Sequence, residues 1–90
     1  MNKNFKNVLL CGAVLAVSAG AFSSCDELIS VEFFAEELII NQYSFEEDKS
    51  LRMISFPNAA KITVFDKSFI GTIENLSIFI LPNAELILEN

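Results

Sequence analysis

The sequence contains no histidine and no tryptophan, and it has only three glycines, two prolines and two cysteines in 90 residues. Without histidine the chain lacks the side chain that most often serves as a general base near neutral pH. Its scattered glycines form no loop that could hold a phosphate. Six basic residues stand against twelve acidic ones, a formal net charge of −6, which disfavours binding to nucleic acid. We therefore expect that the protein is not an enzyme and that it has no cofactor, no metal site and no nucleic-acid partner.

Charge divides the chain into two segments. Two lysines near the start are the only charged residues before Asp26, whereas the chain from Cys25 onward has four basic residues against twelve acidic ones, a formal charge of −8. Residues 8–22 form an uncharged apolar run, shorter than the roughly 20 residues needed to span a membrane. A short basic start, an apolar run and small residues after it are typical of a helical export signal. We therefore predict that residues 1–24 are a lipoprotein signal peptide and take no part in the fold.

Two cleavage sites fit this signal. The small residues at 19–21 (AGA) suit ordinary signal peptidase, which would leave Cys25 as a spare thiol. The segment 22–25 (FSSC) resembles a bacterial lipobox, with Phe22 in place of the usual leucine. Cys11 would be discarded with the signal, so Cys25 would have no partner for an internal disulfide. The sequence therefore predicts lipidation at Cys25 and an exported protein that is lipid-anchored at the outer membrane or cell surface.

Three later segments share the spacing of a short strand. LISVEF begins at residue 28, LRMISF at residue 51 and LSIFIL at residue 76, so the starts are 23 and 25 residues apart. Each reads leucine, two variable residues, an apolar residue, a variable residue and a second apolar residue. This strand pattern and this period are those of leucine-rich repeats, whose stacked strands form a parallel sheet over a shared core. Three aromatic positions are predicted to be core rather than a ligand groove: Phe33, Phe56 and Phe79.

The segment after each strand also repeats. Residues 35–45 align without gaps on residues 59–69, sharing an alanine, two spaced apolar residues and a Ser-Phe pair, and a third copy begins at Ala84. The phenylalanines of the two Ser-Phe pairs are predicted to fill the layer behind the sheet. Gly71 is predicted to lie in the turn that follows. The Pro-Asn pairs, at 57–58 and 82–83, are predicted to form the turn after a strand.

Together these residues resemble the BspA-like leucine-rich repeat of Bacteroidetes surface lipoproteins, whose pattern is roughly L-x-x-I-x-I-P-x-x-V…I-G-x-x-A-F-x-G-C-x-x-L. Matching positions are Leu51, Ile54, Phe56, Pro57, Phe69, Gly71 and Leu76. Serine replaces the alanine before phenylalanine, and Thr72 stands where cysteine or asparagine is usual. The resemblance implies a mainly β fold. The implied fold is a short leucine-rich-repeat solenoid of about two and a half repeats with parallel strands over residues 25–90, preceded by the helical signal peptide. A small β-domain with coincidental spacing is the alternative.

The resemblance also implies a function, namely adhesion through the sheet face of the solenoid. The expected partners are a membrane, bound through the lipid on Cys25, and an unidentified protein. A fimbria-like subunit that pairs its open strand edge with another chain is the alternative. So few repeats without a polar cap also fit a piece of a longer repeat protein. The acidic run Glu46–Asp48 is interpreted as a solvated loop, since it lacks the spaced ligands and turn glycine of a calcium site.

Overall fold

The structure is a computed structural model, and it describes residues 6–72, 76–80 and 84–89. Over these residues it consists of strands and turns, without a helix. The strands follow one another in the order β1 (Asn7–Cys11), β2 (Val14–Val17), β3 (Ser30–Phe34), β4 (Glu37–Ile40), β5 (Met53–Phe56), β6 (Lys61–Phe65), β7 (Ser77–Ile80) and β8 (Glu85–Glu89).

The strands alternate between two parallel four-stranded sheets. One sheet has the order β1-β3-β5-β7 and the other β2-β4-β6-β8. Each turn of the chain thus adds one strand to each sheet, and a bent segment then leads back to the first sheet. Hydrogen bonds also join successive bent segments; for example, the Phe45 N–H donates to the Ser68 carbonyl over 2.8 Å. The molecule is a small parallel β-solenoid of about three turns, which confirms the mainly β, parallel solenoid predicted from the repeats.

Alternating side chains form the core between the two sheets. In β3, Val31 and Phe33 are buried while their neighbours are partly exposed, as the two-residue period of a strand requires. The same alternation buries Leu38 and Ile40 in β4. Phe33 and Phe56 stack in this core with ring centroids 5.6 Å apart, so the prediction that these two phenylalanines are core residues is confirmed.

Phenylalanines of the bent segments close the third side of the core. The Phe45 ring lies parallel to the Phe22 and Phe69 rings, with centroids 5.3 Å away on each side. The serine before Phe45 is fully buried, and its hydroxyl donates to the Asn41 carbonyl at 2.6 Å. The Ser68 hydroxyl donates to the same carbonyl at 3.0 Å. Ser-Phe pairs therefore fill the layer behind the sheets as predicted, with the serine satisfying carbonyls that the bend leaves open.

The first segment differs from its expected conformation. Residues 7–11 and 14–17 are strands rather than a signal-peptide helix, and they pair in register with β3 and β4. They form the turn that precedes the predicted repeats. The sequence did not indicate these strands, because the outward positions Leu9 and Val14 are as apolar as the inward ones and no alternation is visible. One signal was available: Ala21-Phe22 stands 23 residues before Ser44-Phe45 and 47 before Ser68-Phe69.

The register of β7 also differs by one residue from the predicted alignment. Strand starts at residues 51 and 76 would pair Phe79 with Ile54, whereas the backbone pairs Phe79 with Ser55 and Ile78 with Ile54. A one-residue slip in a strand exchanges its two faces. The side chain of Phe79 and the predicted Pro82-Asn83 turn lie outside the described part of the chain. The equivalent turn at Pro57-Asn58 is present.

Candidate functional site

Cys25, the predicted lipidation site, is fully buried in this structure. Its backbone N–H donates to Asp48 Oδ1 at 2.7 Å, and its thiol faces the Ser23 carbonyl at 3.9 Å. Cys25 follows the first bent segment, and Asp48 and Thr72 hold the same place in the next two turns. The Asp48 N–H donates in turn to Thr72 Oγ1 at 2.9 Å, and the Thr72 hydroxyl donates to the Phe45 carbonyl. A chain of polar contacts therefore runs across the turns at this position.

Asp48 corrects the interpretation of the acidic run. A solvated loop is wrong for this residue, whose exposed fraction is 0%. Its neighbour Glu46 is partly buried and accepts a hydrogen bond from the Ser23 hydroxyl at 3.1 Å. Only Glu47 is exposed, and it makes a loose ion pair with Lys49 at 3.9 Å. The run is thus a polar seam between turns, with one carboxylate inside it.

The outer face of the first sheet carries apolar side chains in the open. Leu9 in β1 is 57% exposed, and Phe34 in β3 and Met53 in β5 are partly exposed. The register sets Leu9 level with Glu32, Phe34 level with Cys11, and Met53 level with Ser30. The outer face of this sheet is therefore mixed, with polar side chains between the apolar ones. Phe34 also lines a cavity of about 220 Å³, together with Gly12, Ala13 and the two residues before β4, Ala35 and Glu36. This face belongs to the sheet surface for which the leucine-rich-repeat resemblance implies partner binding.

The last described strands leave the solenoid interior open. Leu86 and Leu88 in β8 are 52% and 75% exposed, although they continue the columns that bury Leu38 and Ile40 two turns earlier. An almost wholly apolar cavity of about 400 Å³ lies beside them. Its described lining residues are Ile40, Phe56, Ile62, Val64, Phe69, Leu86 and Leu88.

Within the described ranges, no three histidine, cysteine or acidic side chains come together as a group that could hold a metal ion. The same ranges contain no apolar helix of membrane-spanning length. Comparisons with protein-family models, with curated proteins and with solved structures found no match for this chain.

Proposed function

We propose that this chain is a non-enzymatic, protein-binding module of the BspA-like leucine-rich-repeat type. The observation that carries the proposal is the outer face of the first parallel sheet, where Leu9, Phe34 and Met53 are exposed or partly exposed at separate levels of the strand register. Apolar side chains held at fixed strand spacing on an exposed surface are typical of protein-interaction sites. Glu32 on β3 lies between these apolar side chains, level with Leu9 and Ser55, and supplies a polar group within such an interface.

The first turn adds support to the family assignment. Ala21, Phe22, Cys25 and Leu28 fall on the A-F-x-x-C-x-x-L part of the family pattern, with Ser24 at its glycine position. The backbone there has the left-handed conformation that explains a glycine preference, since Ser24 has φ 56°.

The binding surface can be tested with two matched double variants. Phe34→Ser with Met53→Ser removes apolar contacts from the first sheet, and Ile39→Ser with Phe65→Ser makes the same kind of change on the outer face of the second. Biolayer interferometry would measure the immobilised chain against a panel of host extracellular and bacterial surface proteins. The proposal expects a binder whose affinity falls at least about tenfold in the first variant only. Equal losses in both variants, or no binder in the panel, would count against it.

We further propose that the exported form is anchored through a lipid on Cys25. Cleavage before Cys25 would remove β1 and β2 and make this buried residue the new N terminus, so anchoring belongs to a processed form of the chain. Dual or triple acylation is enough for stable membrane attachment. Mass spectrometry of the membrane fraction would find a chain of residues 25–90 with a lipid mass on Cys25. A Cys25→Ala variant that kept the same mass increment and the same membrane partition would refute the anchor.

A second candidate function is that of a fimbria-like subunit that assembles through an open strand edge. The observation that favours it is the exposure of Leu86 and Leu88 on β8, which is an edge strand among the strands that the structure describes. Unpaired edges accept strands from other chains. Polymer ladders on gels of unboiled surface extracts would support this function, and single bands of monomer size would exclude it.

A further inference from the structure

We propose that the open end of the solenoid is a socket for an aromatic side chain carried by an extended segment of another chain, in which a small residue precedes phenylalanine. The socket is the apolar cavity of about 400 Å³ beside Phe69, Leu86 and Leu88. The proposal rests on the second candidate function, assembly through an open edge, and it names the ligand for that edge.

The aromatic column determines what the socket accepts. Phe22, Phe45 and Phe69 form a stack with interplanar angles of 7° and 3° and one ring from each turn. Phe45 is enclosed by rings on both faces and is fully buried. Phe69 meets Phe45 with one face, is partly exposed, and lines the cavity. A further ring on its open face would continue the stack with the same geometry, and parallel aromatic pairs add about 0.5–1.5 kcal/mol beyond the area they bury.

The rest of the cavity wall is suited to an aromatic ring. Its described lining residues are all aliphatic or aromatic, and the volume is within the range of about 300–1,000 Å³ that holds small ligands. Leu86 and Leu88 line one side of the cavity, and a side chain that entered it would cover part of their exposed surface. No charged residue belongs to the described lining, so a charged side chain would lose its hydration without gaining a partner there.

Backbone groups explain the preference for a small polar residue before the ring. Each serine hydroxyl lies between a carbonyl of its own turn and one of the preceding turn. Ser44 Oγ is 2.6 Å from the Asn41 oxygen and 3.3 Å from the Ser18 oxygen. Ser68 Oγ contacts the Phe65 oxygen and is 3.0 Å from the Asn41 oxygen, so one carbonyl can face the serines of two turns. One turn later, the carbonyl equivalent to those of Ser18 and Asn41 is that of Phe65. A serine in the incoming segment would donate to this carbonyl while the next residue places its ring on Phe69. Strand pairing along a sheet edge supplies further main-chain hydrogen bonds.

A synthetic peptide of residues 65–72 (FDKSFIGT, acetylated and amidated) tests the socket directly. Its matched control carries Phe69→Ala, and fluorescence anisotropy of labelled peptides would measure binding to the 90-residue chain. We expect the phenylalanine peptide to bind at least about tenfold more tightly, because truncating a buried ring removes more than one decade of affinity. Equal affinity of the two peptides, or no binding by either, would overturn the proposal.

Two protein variants locate the binding. Leu88→Asp places a carboxylate at the cavity and should reduce peptide affinity by about tenfold or more. Ile29→Asp makes the same change at a 40%-exposed residue of an inner turn and should leave affinity unchanged. Both are surface changes, and circular dichroism would verify the fold. An unaffected Leu88→Asp variant would overturn the proposal, as would a concentration-dependent dimer that forms through this end while the peptide fails to bind. Peptide binding without polymer ladders in surface extracts would refute the assembly function and leave the socket in place.

Discussion

At the scale of single residues, backbone conformation in the bent segments limits which side chains the repeat accepts. Two positions per turn have positive φ. One is occupied by Gly20, Tyr43 and Lys67, and the other by Ser24, Glu47 and Gly71, with φ between 56° and 79°. Such conformations cost a residue with a Cβ roughly 1–2 kcal/mol. The glycine at 71 could be predicted to lie in a turn, but the four other side chains there could not, because neighbouring hydrogen bonds hold the backbone against the local preference.

Glycine at position 71 is expected to matter more than its exposure suggests. A Cβ built there would lie 2.7 Å from Glu47 Oε1, and φ is +79°. Gly71→Ala should therefore lower the free energy of unfolding by about 1 kcal/mol or more. Glu47→Gly should change it little or raise it, because relief of strain offsets the greater chain entropy of glycine. Urea unfolding followed by circular dichroism measures both, and a neutral Gly71→Ala would contradict the turn geometry.

The Thr72 hydroxyl is expected to stabilise the polar seam between turns. It accepts from the Asp48 N–H at 2.9 Å and donates to the Phe45 carbonyl, and the residue is 4% exposed. Thr72→Val keeps the shape but leaves two buried backbone groups unbonded, which should cost about 1–3 kcal/mol. Thr72→Ser keeps the hydroxyl and should cost clearly less. A Thr72→Val variant that is no less stable in thermal unfolding than Thr72→Ser would contradict this role of the hydroxyl.

At the scale of strands and turns, the sequence was informative where polar and apolar residues alternate. β3 and β5 match the predicted strands because Glu32 and Ser55 separate buried neighbours. The first turn was missed because its outward residues are apolar too, and the register of β7 was misplaced because LSIFIL offers apolar residues on both faces. Asp48 was misjudged for another reason: a carboxylate is normally solvated, and the hydrogen bond that it accepts from the Cys25 N–H of the preceding turn is a contact between turns that the sequence does not reveal.

The aromatic column gives a graded prediction at this scale. Phe45 is fully buried between two rings, so Phe45→Ala should cost about 3–5 kcal/mol. Phe22 stacks on Phe45 but is partly exposed, so Phe22→Ala should cost less, yet still measurably. Chemical denaturation of the 90-residue chain measures both. A Phe22→Ala variant as stable as the parent would mean that residues 7–24 add nothing to the solenoid.

At the scale of the whole molecule, the solenoid and the lipid anchor describe two forms of one chain. In the form that the structure describes, β1 and β2 pair with β3 and β4, the Phe22 ring lies on Phe45, and Cys25 is buried. In the processed form that we propose, those strands would be gone and Cys25 would carry the anchor. The proposed binding face would then retain Phe34 and Met53 but lose Leu9, and β8 would be common to both forms.

The most direct measurement of the central claim, that residues 7–25 form the first turn of the solenoid, is the relative reactivity of the two thiols. Cys11 is exposed on β1 and Cys25 is fully buried. The native 90-residue chain would be treated with N-ethylmaleimide and each site followed by peptide mass mapping, with a sample in denaturant as the reference for intrinsic reactivity. We expect Cys11 to react at its reference rate and Cys25 at least about 100-fold more slowly, because it reacts only when the first turn opens. Equal protection ratios at the two cysteines would contradict this structure.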